Sequence, residues 1–231
     1  MWEDFTMNDY VTNSNILVVV AHSDDEVLGC GGTLMRHMLN GDKVHIIFLT
    51  NGVGARGSND GADARRLACE KVMQILGVAS FQQLDFPDNQ LDTIPLLEIV
   101  QKVEEAVTRV KPDIIYTHYA EDLNVDHRIC SAAVSTACRP LPASNHCQIY
   151  GIEVNSSTEW SPSNVFKPSH HVNIDGFVNH KLKLMNMYEN EVRNFPHPRS
   201  CEAIEALAKW RGATAGFRAA EAFTVMQSRW R

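Results

Sequence analysis

Long apolar runs, blocks of positive charge and closely spaced cysteine pairs are all missing from this chain of 231 residues. The longest unbroken apolar run in its first half covers only residues 16–21, whereas a membrane-spanning helix needs about 20. Lys and Arg number 21 against 28 Asp and Glu, a net charge of −7 that disfavours binding to nucleic acid or to an anionic membrane surface. The hydrophobic share of 44% fits a folded globular domain. We therefore expect no nucleic-acid partner and no membrane span.

The cysteines predict free thiols, because they are scattered and form no CxxC pair of the kind used in zinc sites or redox motifs. The acidic N-terminus, residues 1–4, is not followed by the apolar core of a secretion signal. Both features favour a reducing compartment, and we expect a cytoplasmic protein. The six cysteines are Cys30, Cys69, Cys130, Cys138, Cys147 and Cys201.

Buried strands and helices alternate along the first 140 residues. Aliphatic runs without polar alternation predict strands at 16–20, 44–49 and 114–117 that are buried on both faces of a parallel sheet. A short strand is expected at 81–84, and helices at 27–39, 62–76, 94–110 and 126–138. This order predicts an α/β fold, a Rossmann-like three-layer sandwich with a mostly parallel sheet.

The C-terminal part is less regular. It predicts strands at 148–154, 172–174 and 222–226 and helices at 175–190 and 200–210. We expect one domain over residues 1–231, in which 1–14 form an N-terminal extension and 142–231 a C-terminal elaboration.

The first strand ends directly in the polar run Ala21-His22-Ser23-Asp24-Asp25-Glu26. Ligands of open α/β sheets bind beyond the carboxyl ends of the strands. Carboxylates this close repel one another unless they are solvated or share a cation. His22 and Asp25 are three residues apart and can direct two ligand atoms at one zinc ion. The alternative is an acidic helix start, which the helix dipole favours.

The glycines of Gly29-Cys30-Gly31-Gly32 follow this acidic run and do not fit the GxGxxG pattern of dinucleotide-binding loops. Carboxylates beside them would repel a pyrophosphate. We therefore interpret the glycines as a place where a helix packs closely on the sheet, and a nucleotide-binding Rossmann protein becomes a weaker hypothesis.

The strand at 114–117 also ends in a polar cluster, at 118–128. Strands one and four would flank the switch point of a doubly wound sheet, so their ends can meet. His127 could then join His22 and Asp25 as a third ligand, and three protein ligands leave one position for water, as in catalytic zinc sites. The alternative is a solvated loop that opens a helix.

Two of these motifs resemble those of a known family. AHSDDEVLGCGG is similar to the AHPDDE signature of the PIG-L/LmbE-like zinc-dependent N-deacetylases, and NVDHR resembles their HxDH element. The segments LTNG, LGV, FPDNQLD, HPRSCEAIEALAKWRG and AEAF also resemble bacterial sugar-modifying members, so that the resemblance extends from His22 to Phe223. It implies a hydrolase that removes an N-acetyl group from an amino sugar or sugar conjugate, with a nucleotide-linked sugar favoured among the candidates.

The resemblance also implies residue roles. His22, Asp25 and His127 would bind one zinc ion per chain, and Asp24 would act as general base for a zinc-activated water. The ligand types also allow Fe²⁺ or Co²⁺. Glu26 is expected to face the helix or to make a supporting hydrogen bond.

The sequence departs from the family pattern at Ser23, where the family has Pro, and at Asn124, where it has the first His of HxDH. That His is thought to stabilise the oxyanion while the Asp at the position of Asp126 orients it. Because Asn still donates a neutral hydrogen bond, we expect Asn124 and Asp126 to take part in catalysis. We also predict that another histidine fills the vacancy: first His197, whose flanking prolines fix its backbone and which Asp126 could orient, and then His118.

Substrate contacts are predicted at Asn51, which ends the second strand, and at three arginines whose planar fork suits anionic groups and sugar hydroxyls. For the arginines the alternative is a surface ion pair. The three are Arg65, Arg66 and Arg199.

Two other functions stay open. A metal-dependent phosphoesterase would need a further bridging carboxylate and two metals about 3.5–4 Å apart. A sugar-binding protein with a degenerate site is opposed by the intact set of His22, Asp24, Asp25 and His127. The expected partner is a small N-acetylated sugar or conjugate, and a homo-oligomer remains an open alternative.

Overall fold

The computed structural model describes residues 13–52, 60–141, 147–162 and 165–228, and for 60–63 the backbone alone. The strands of the described chain are β1 (Asn15–Val20), β2 (Lys43–Thr50), β3 (Ser80–Phe86), β4 (Ile114–His118), β5 (Gln148–Ile152), β6 (His170–Asn173) and β7 (Ala220–Gln227). Its helices are α1 (Asp25–Leu39), α2 (Asp60–Leu76), α3 (Leu96–Val110), α4 (Val125–Ala137), α5 (Val178–Met187) and α6 (Cys201–Ala215), and short 3₁₀ turns lie at Leu91–Thr93 and Thr158–Trp160.

The strands form a single mixed sheet in the order β3-β2-β1-β4-β5-β7-β6. Strands β1 to β5 are parallel to their neighbours, whereas β7 runs antiparallel to both β5 and β6. The predicted α/β class with a mostly parallel sheet is therefore confirmed. Because chain order reverses at β1, the carboxyl ends of β1 and β4 lie side by side, with Val19 opposite Thr117.

Both faces of the sheet are covered, which gives the three layers. Ile16, Val18 and Val20 of β1 pack in one core with residues of α1, α2, α5 and α6. Leu17 and Val19 point to the opposite face and pack with residues of α3 and α4. Every side chain from 16 to 20 is fully buried. The aliphatic run therefore has no polar alternation because the strand has no solvent side.

Helix α1 bends at Cys30, whose backbone (φ −147°, ψ 16°) is not helical. A Cβ on Gly29 would lie 2.5 Å from Ile152 Cδ1, and one on Gly32 would lie 2.7 Å from Ile174 Cγ2. Real Cβ atoms do not approach side chains so closely, so glycine is required at both positions. The interpretation of these glycines as a close-packing contact is confirmed.

A buried ion pair joins the two halves of the bent helix. The Glu221 carboxylate on β7 accepts the N–H groups of Gly32 (2.9 Å) and Thr33 (2.7 Å). Lys181 Nζ on α5 donates to Glu221 Oε1 and to the Leu28 carbonyl oxygen, both at 2.7 Å. The pair thus satisfies backbone groups that the bend leaves without helical partners.

Two predicted helices begin later than expected. Residue 94 precedes Pro95, which disfavours helical backbone there, so α3 begins at Leu96. Gly176 has a φ of +86°, and α5 begins only after it, at Val178. The six cysteines, all within the described residues, are free thiols. Over that part of the chain, the helices are too short or too polar to cross a bilayer.

Candidate active site

Three side chains meet where β1 and β4 end. His22 lies in the turn after β1, Asp25 in the first turn of α1 and His127 in the first turn of α4, and all are buried. His22 Nδ1 lies 3.2 Å from Asp25 Oδ2 and 3.3 Å from His127 Nε2, and the last two atoms are 3.3 Å apart. Tetrahedral zinc, with bonds of about 2.0–2.1 Å to such ligands, separates them by about 3.3 Å. The triangle therefore fits a divalent metal, although its occupancy by zinc stays a prediction.

The hydrogen bonding and the ionisation of Asp25 also fit a bound cation. Its Oδ1 is buried and has no hydrogen-bond partner within the described chain, and an unsatisfied buried carboxylate oxygen is costly. Burial alone would raise the pKa of Asp25, but the charge of His127 holds it well below its usual range. Asp25 is thus an ionised carboxylate that could bind a cation, with one oxygen lacking a partner among the described residues.

Further carboxylates support the outer nitrogens of both imidazoles. His22 Nε2 lies 3.0 Å from Asp88 Oδ1 and 3.2 Å from Asp126 Oδ2, and His127 Nδ1 lies 3.1 Å from Asp122 Oδ1. Such partners fix which nitrogen faces a metal. Asp122 is held in turn by Thr158 Oγ1 at 2.6 Å. Burial would raise the pKa of Asp122, but the hydrogen bond and charge of His127, together with the hydroxyl groups of Ser157 and Thr158, lower it to about 2.

Asp88 and Asp122 were not among the residues predicted from the sequence. Asp88 lies in the FPDNQLD segment after β3 and Asp122 in the polar cluster after β4. Their position just beyond parallel strands was the available signal.

Asp126 does not orient His197. Its oxygens accept the N–H groups of Asn89 (2.7 Å) and Leu91 (3.0 Å), so the loop after β3 closes over it and turns it toward His22. The ligand atoms of His22, Asp88 and Asp126 also lie close together, but both oxygens of Asp126 already accept backbone N–H groups.

The two histidines proposed to replace the missing one make other contacts within the described chain. His197 Nδ1 accepts the Arg199 N–H at 3.1 Å, and its ring stands edge-on to Trp160. His118 is fully buried, accepts the Ala21 N–H at 2.9 Å through Nε2 and stacks 3.8 Å from the ring of His127. Burial and the charge of His127 lower the pKa of His118 to about 4. His118 therefore acts as a neutral packing partner of a candidate metal ligand.

Asp24 has the backbone conformation of a constrained residue, with a φ of +122°. Its N–H donates to Glu26 Oε2 at 2.9 Å, and Glu26 Oε1 accepts the Tyr188 hydroxyl at 2.7 Å. Burial raises the pKa of Glu26 to about 8, although the bond from Tyr188 opposes the shift. The supporting hydrogen bond expected of Glu26 is present, and its partner Tyr188 could not be found from the sequence.

The carboxylate of Asp24 lies against Arg199, with Oδ2 2.9 Å from Nη1. Burial raises the pKa of Asp24 to about 6, and the charge of Arg199 opposes this rise. Arg199 also donates to Glu191 Oε2 at 3.0 Å and to Ser156 Oγ at 2.7 Å. Arg199, a predicted substrate residue, and Asp24, the predicted general base, thus belong to one hydrogen-bond network.

A cavity of about 970 Å³ opens in front of His22 and Asp24. It runs between α2 on one side and α5 with the loop 188–193 on the other. Its volume lies at the upper end of the range for ligand pockets, about 300–1,000 Å³.

The predicted substrate residues divide into two groups. Arg65 and Arg199 line the cavity, and Arg65 pairs with Glu191. Asn124 lines it too, while its Oδ1 caps α4 by accepting the Asp126 N–H at 2.8 Å.

The other predicted contacts lie outside the lining of the cavity. Arg66 is exposed and pairs with Glu70 on its own helix. Asn51 Nδ2 donates to Asp85 at 2.9 Å. The next residue, Gly52, lines the cavity, whereas Asn51 is not among the described lining residues. His197 is likewise not among the described residues that line the cavity, although Arg199, two residues later, is.

The family of the chain follows from residues 17–138, more than half of its length, which match the profile of the PIG-L family, described as GlcNAc-PI de-N-acetylase. The chain belongs to this family. Its members and named relatives are deacetylases, so the chain is a hydrolase of the class that acts on amide bonds.

Similar proteins extend the match over nearly the whole chain. A probable N-acetyl-alpha-D-glucosaminyl L-malate deacetylase 2 of Bacillus cereus is 23% identical over 85% of this chain and 93% of its own length. A diacetylchitobiose deacetylase of Thermococcus kodakarensis is 26% identical over 94% and 85%. The crystal structure of the conserved protein TT1542 from Thermus thermophilus superposes with a TM-score of 0.76, 26% identity and coverage of 94% and 97%.

Proposed function

We propose that this protein is a zinc-dependent hydrolase that removes the N-acetyl group from an amino sugar or a conjugate of one. The observation that carries the proposal is the triangle of His22 Nδ1, Asp25 Oδ2 and His127 Nε2, with sides of 3.2–3.3 Å, beside Asp24 at the floor of a cavity. Two relatives are named for substrates that contain acetylated glucosamine.

One zinc ion per chain would be held by His22, Asp25 and His127, and the same ligand set accepts Fe²⁺ or Co²⁺. When bound, the ion supplies Lewis-acid polarisation of the acetamide carbonyl and makes a nearby water more acidic. Asp88, Asp126 and Asp122 keep the two imidazoles in the orientation that such binding needs.

Asp24 is the proton carrier in this proposal. Its carboxylate takes a proton from the water that attacks the acetamide carbonyl carbon and passes it to the sugar nitrogen as the C–N bond breaks. The proton left on the acid product passes to the amine, so that acetate and the ammonium form of the sugar leave and Asp24 returns to its starting state. The Glu26 and Tyr188 hydrogen bonds hold the constrained backbone of Asp24 during this transfer.

Arg199 supplies the positive charge that the family pattern places in a histidine at position 124. It lines the cavity beside Asp24, whereas His197 supports it only by accepting its backbone N–H. Asn124 adds a neutral amide to the same wall, and Arg65 is positioned to bind sugar hydroxyls or an anionic group. Arg199 therefore replaces His197 as our candidate for the cationic partner of the developing oxyanion.

The proposal is tested by amine and acetate release from a panel of N-acetyl sugars, disaccharides and nucleotide sugars. We expect turnover by the zinc-loaded protein, loss of turnover with a chelator, and one metal per chain. Two metals per chain together with phosphate release would indicate a phosphoesterase instead. Sugar binding without any amine release would indicate a binding protein.

We also propose a single domain over 1–231 and a cytoplasmic location. Strands β5 and β7 of the C-terminal part pair with each other, and β5 pairs with β4, which supports one folded unit. The free cysteines support a reducing compartment.

A further inference from the structure

The two ends of the cavity differ in how their charges are paired. At the floor, Arg65 and Arg199 are matched by Asp24, Asp88 and Glu191. The lining also contains Lys71 of α2 and Lys183 of α5, for which the described chain offers no ion-pair partner.

Helix α2 forms one wall and gives the position of Lys71. Arg65, near its beginning, reaches the floor by contacting Asp88 and Glu191. Lys71 follows six residues later and lines the same cavity, so it lies about 9 Å further along the helix axis at 1.5 Å per residue. Its backbone therefore lies further from the floor than that of Arg65 does.

Helix α5 forms the facing wall, and it packs against α2. Tyr188, just after its last turn, is bound to Glu26 at the floor. Lys183 precedes Tyr188 by five residues, which is about 7–8 Å of helix. The two lysines therefore lie on opposite walls at comparable distances from the floor.

The remaining charges of the lining do not cancel these lysines. Arg193 and Glu189 are both exposed in the loop after α5 and offset each other. The lysines thus leave a local positive excess in a chain whose net charge is −7. A concave surface of this kind concentrates the field and attracts anions.

We propose that Lys71 and Lys183 form a subsite for a negatively charged group, phosphate or carboxylate, on the part of the substrate attached to the acetylated sugar. The inference rests on the proposed deacetylase function and narrows its substrate class to anionic conjugates. Ammonium groups bind phosphate and carboxylate oxygens by charge-assisted hydrogen bonds. The size of the cavity leaves room for a second moiety beyond one sugar ring.

The test compares three ligands that share one acetylated sugar: methyl N-acetylglucosaminide, which is neutral, UDP-N-acetylglucosamine, and N-acetylglucosaminyl glucuronic acid. Their affinities are measured by calorimetry at low and high salt on zinc-loaded Asp24→Asn protein, which should not turn them over. The same background carries Lys71→Gln with Lys183→Gln, or the control pair Lys102→Gln with Lys209→Gln, which removes two exposed helical lysines outside the cavity lining.

We expect an anionic ligand to bind at least tenfold more tightly than the methyl glycoside, and this preference to fall about tenfold in the cavity double variant and at high salt. The control pair should keep it, and the tighter of the two anionic ligands identifies phosphate or carboxylate as the source. Equal binding of neutral and anionic ligands, or an unchanged preference in the cavity variant, overturns the inference.

Acetate release by the unmutated protein separates this inference from the proposed function. Lysine-dependent binding of an anionic ligand without acetate release from any ligand would support the subsite and contradict the deacetylase. Acetate release together with lysine-independent binding would support the deacetylase and contradict the subsite.

Discussion

Two of the buried sets of charged side chains in the described chain differ in how fully their polar atoms are satisfied. In the pair formed by Lys181 and Glu221, both carboxylate oxygens accept backbone N–H groups, and the ammonium group binds Glu221 and a carbonyl oxygen. In the cluster of His22, Asp25 and His127, two imidazole nitrogens converge on one carboxylate oxygen, and the other, Oδ1, is left without a partner among the described atoms.

The difference separates a structural pair from a site that requires a ligand. Buried polar groups of folded proteins are nearly all hydrogen-bonded, so an orphaned oxygen beside converging ligand atoms points to a missing partner. A saturated pair needs nothing further, and its removal should affect folding alone. The predictions below test this division.

Removal of metal should have the largest effect. Dialysis against a chelator should abolish acetate release and lower the melting temperature, because the converging ligands lose the cation that binds only the folded state. Addition of one equivalent of zinc per chain should restore both. Full activity of protein with no metal by elemental analysis would contradict the assignment of the cluster.

The substitution Asp24→Asn should have the second-largest effect. Loss of the proton carrier is expected to lower kcat about 10²–10⁴-fold, with zinc content unchanged because Asp24 is not one of the three ligands. Steady-state kinetics and elemental analysis check this, with Asp92→Asn in the exposed 3₁₀ turn as control. Loss of zinc in the Asp24 variant would show that Asp24 serves as a ligand.

The substitution Glu221→Ala should lower the stability of the fold. It leaves Lys181 buried without its partner, and breaking a buried pair costs about 3–5 kcal/mol of unfolding free energy. Urea unfolding measures the loss, whereas zinc per folded chain should stay at the normal value. Lys181→Met in the same chain removes the unpaired charge and should recover part of the stability. A loss of zinc affinity at unchanged stability would contradict the structural assignment.

Asp122→Asn should weaken zinc binding about 10–100-fold, since carboxylate partners of ligating histidines have effects of this size. Competition with a coloured chelator measures the affinity. Glu121→Gln next to it is the control, because Glu121 is exposed. Unchanged zinc affinity would mean that His127 is oriented without Asp122.

How much of this could be predicted from the sequence depends on how local the signal is. The strand runs are local, and so is the spacing of His22 and Asp25. His127 could be added because parallel strands end at one edge of a sheet. In contrast, Tyr188, Lys181 and Glu221 lie in the C-terminal part and reach residues 26–33 across more than 150 positions, and their surroundings in the sequence carry no motif.

Arg65 and Arg66 illustrate the limit of prediction along a helix. Neighbouring residues of a helix point about 100° apart, so one of them had to face away from the cavity. Which arginine faces the cavity depends on how α2 is rotated against α5, and the sequence of α2 alone does not determine that rotation. The prediction of His197 illustrates a similar limit. His197 and Arg199 differ by two positions, and among the described residues the cavity lining includes the arginine and not the histidine.

Tyr188→Phe should have the smallest effect, and it tests whether Tyr188 helps to position Asp24. It removes the hydroxyl that donates to Glu26, which in turn holds the Asp24 N–H. A single hydrogen bond contributes about 0.5–1.5 kcal/mol, so we expect a loss of stability of that size and a kcat reduced severalfold at unchanged KM and zinc content. A structural role alone would lower stability and leave kcat intact. The control is Tyr150→Phe on β5, whose hydroxyl bonds Gln148 away from the cavity; an equal loss of kcat there would remove Tyr188 from the positioning of Asp24.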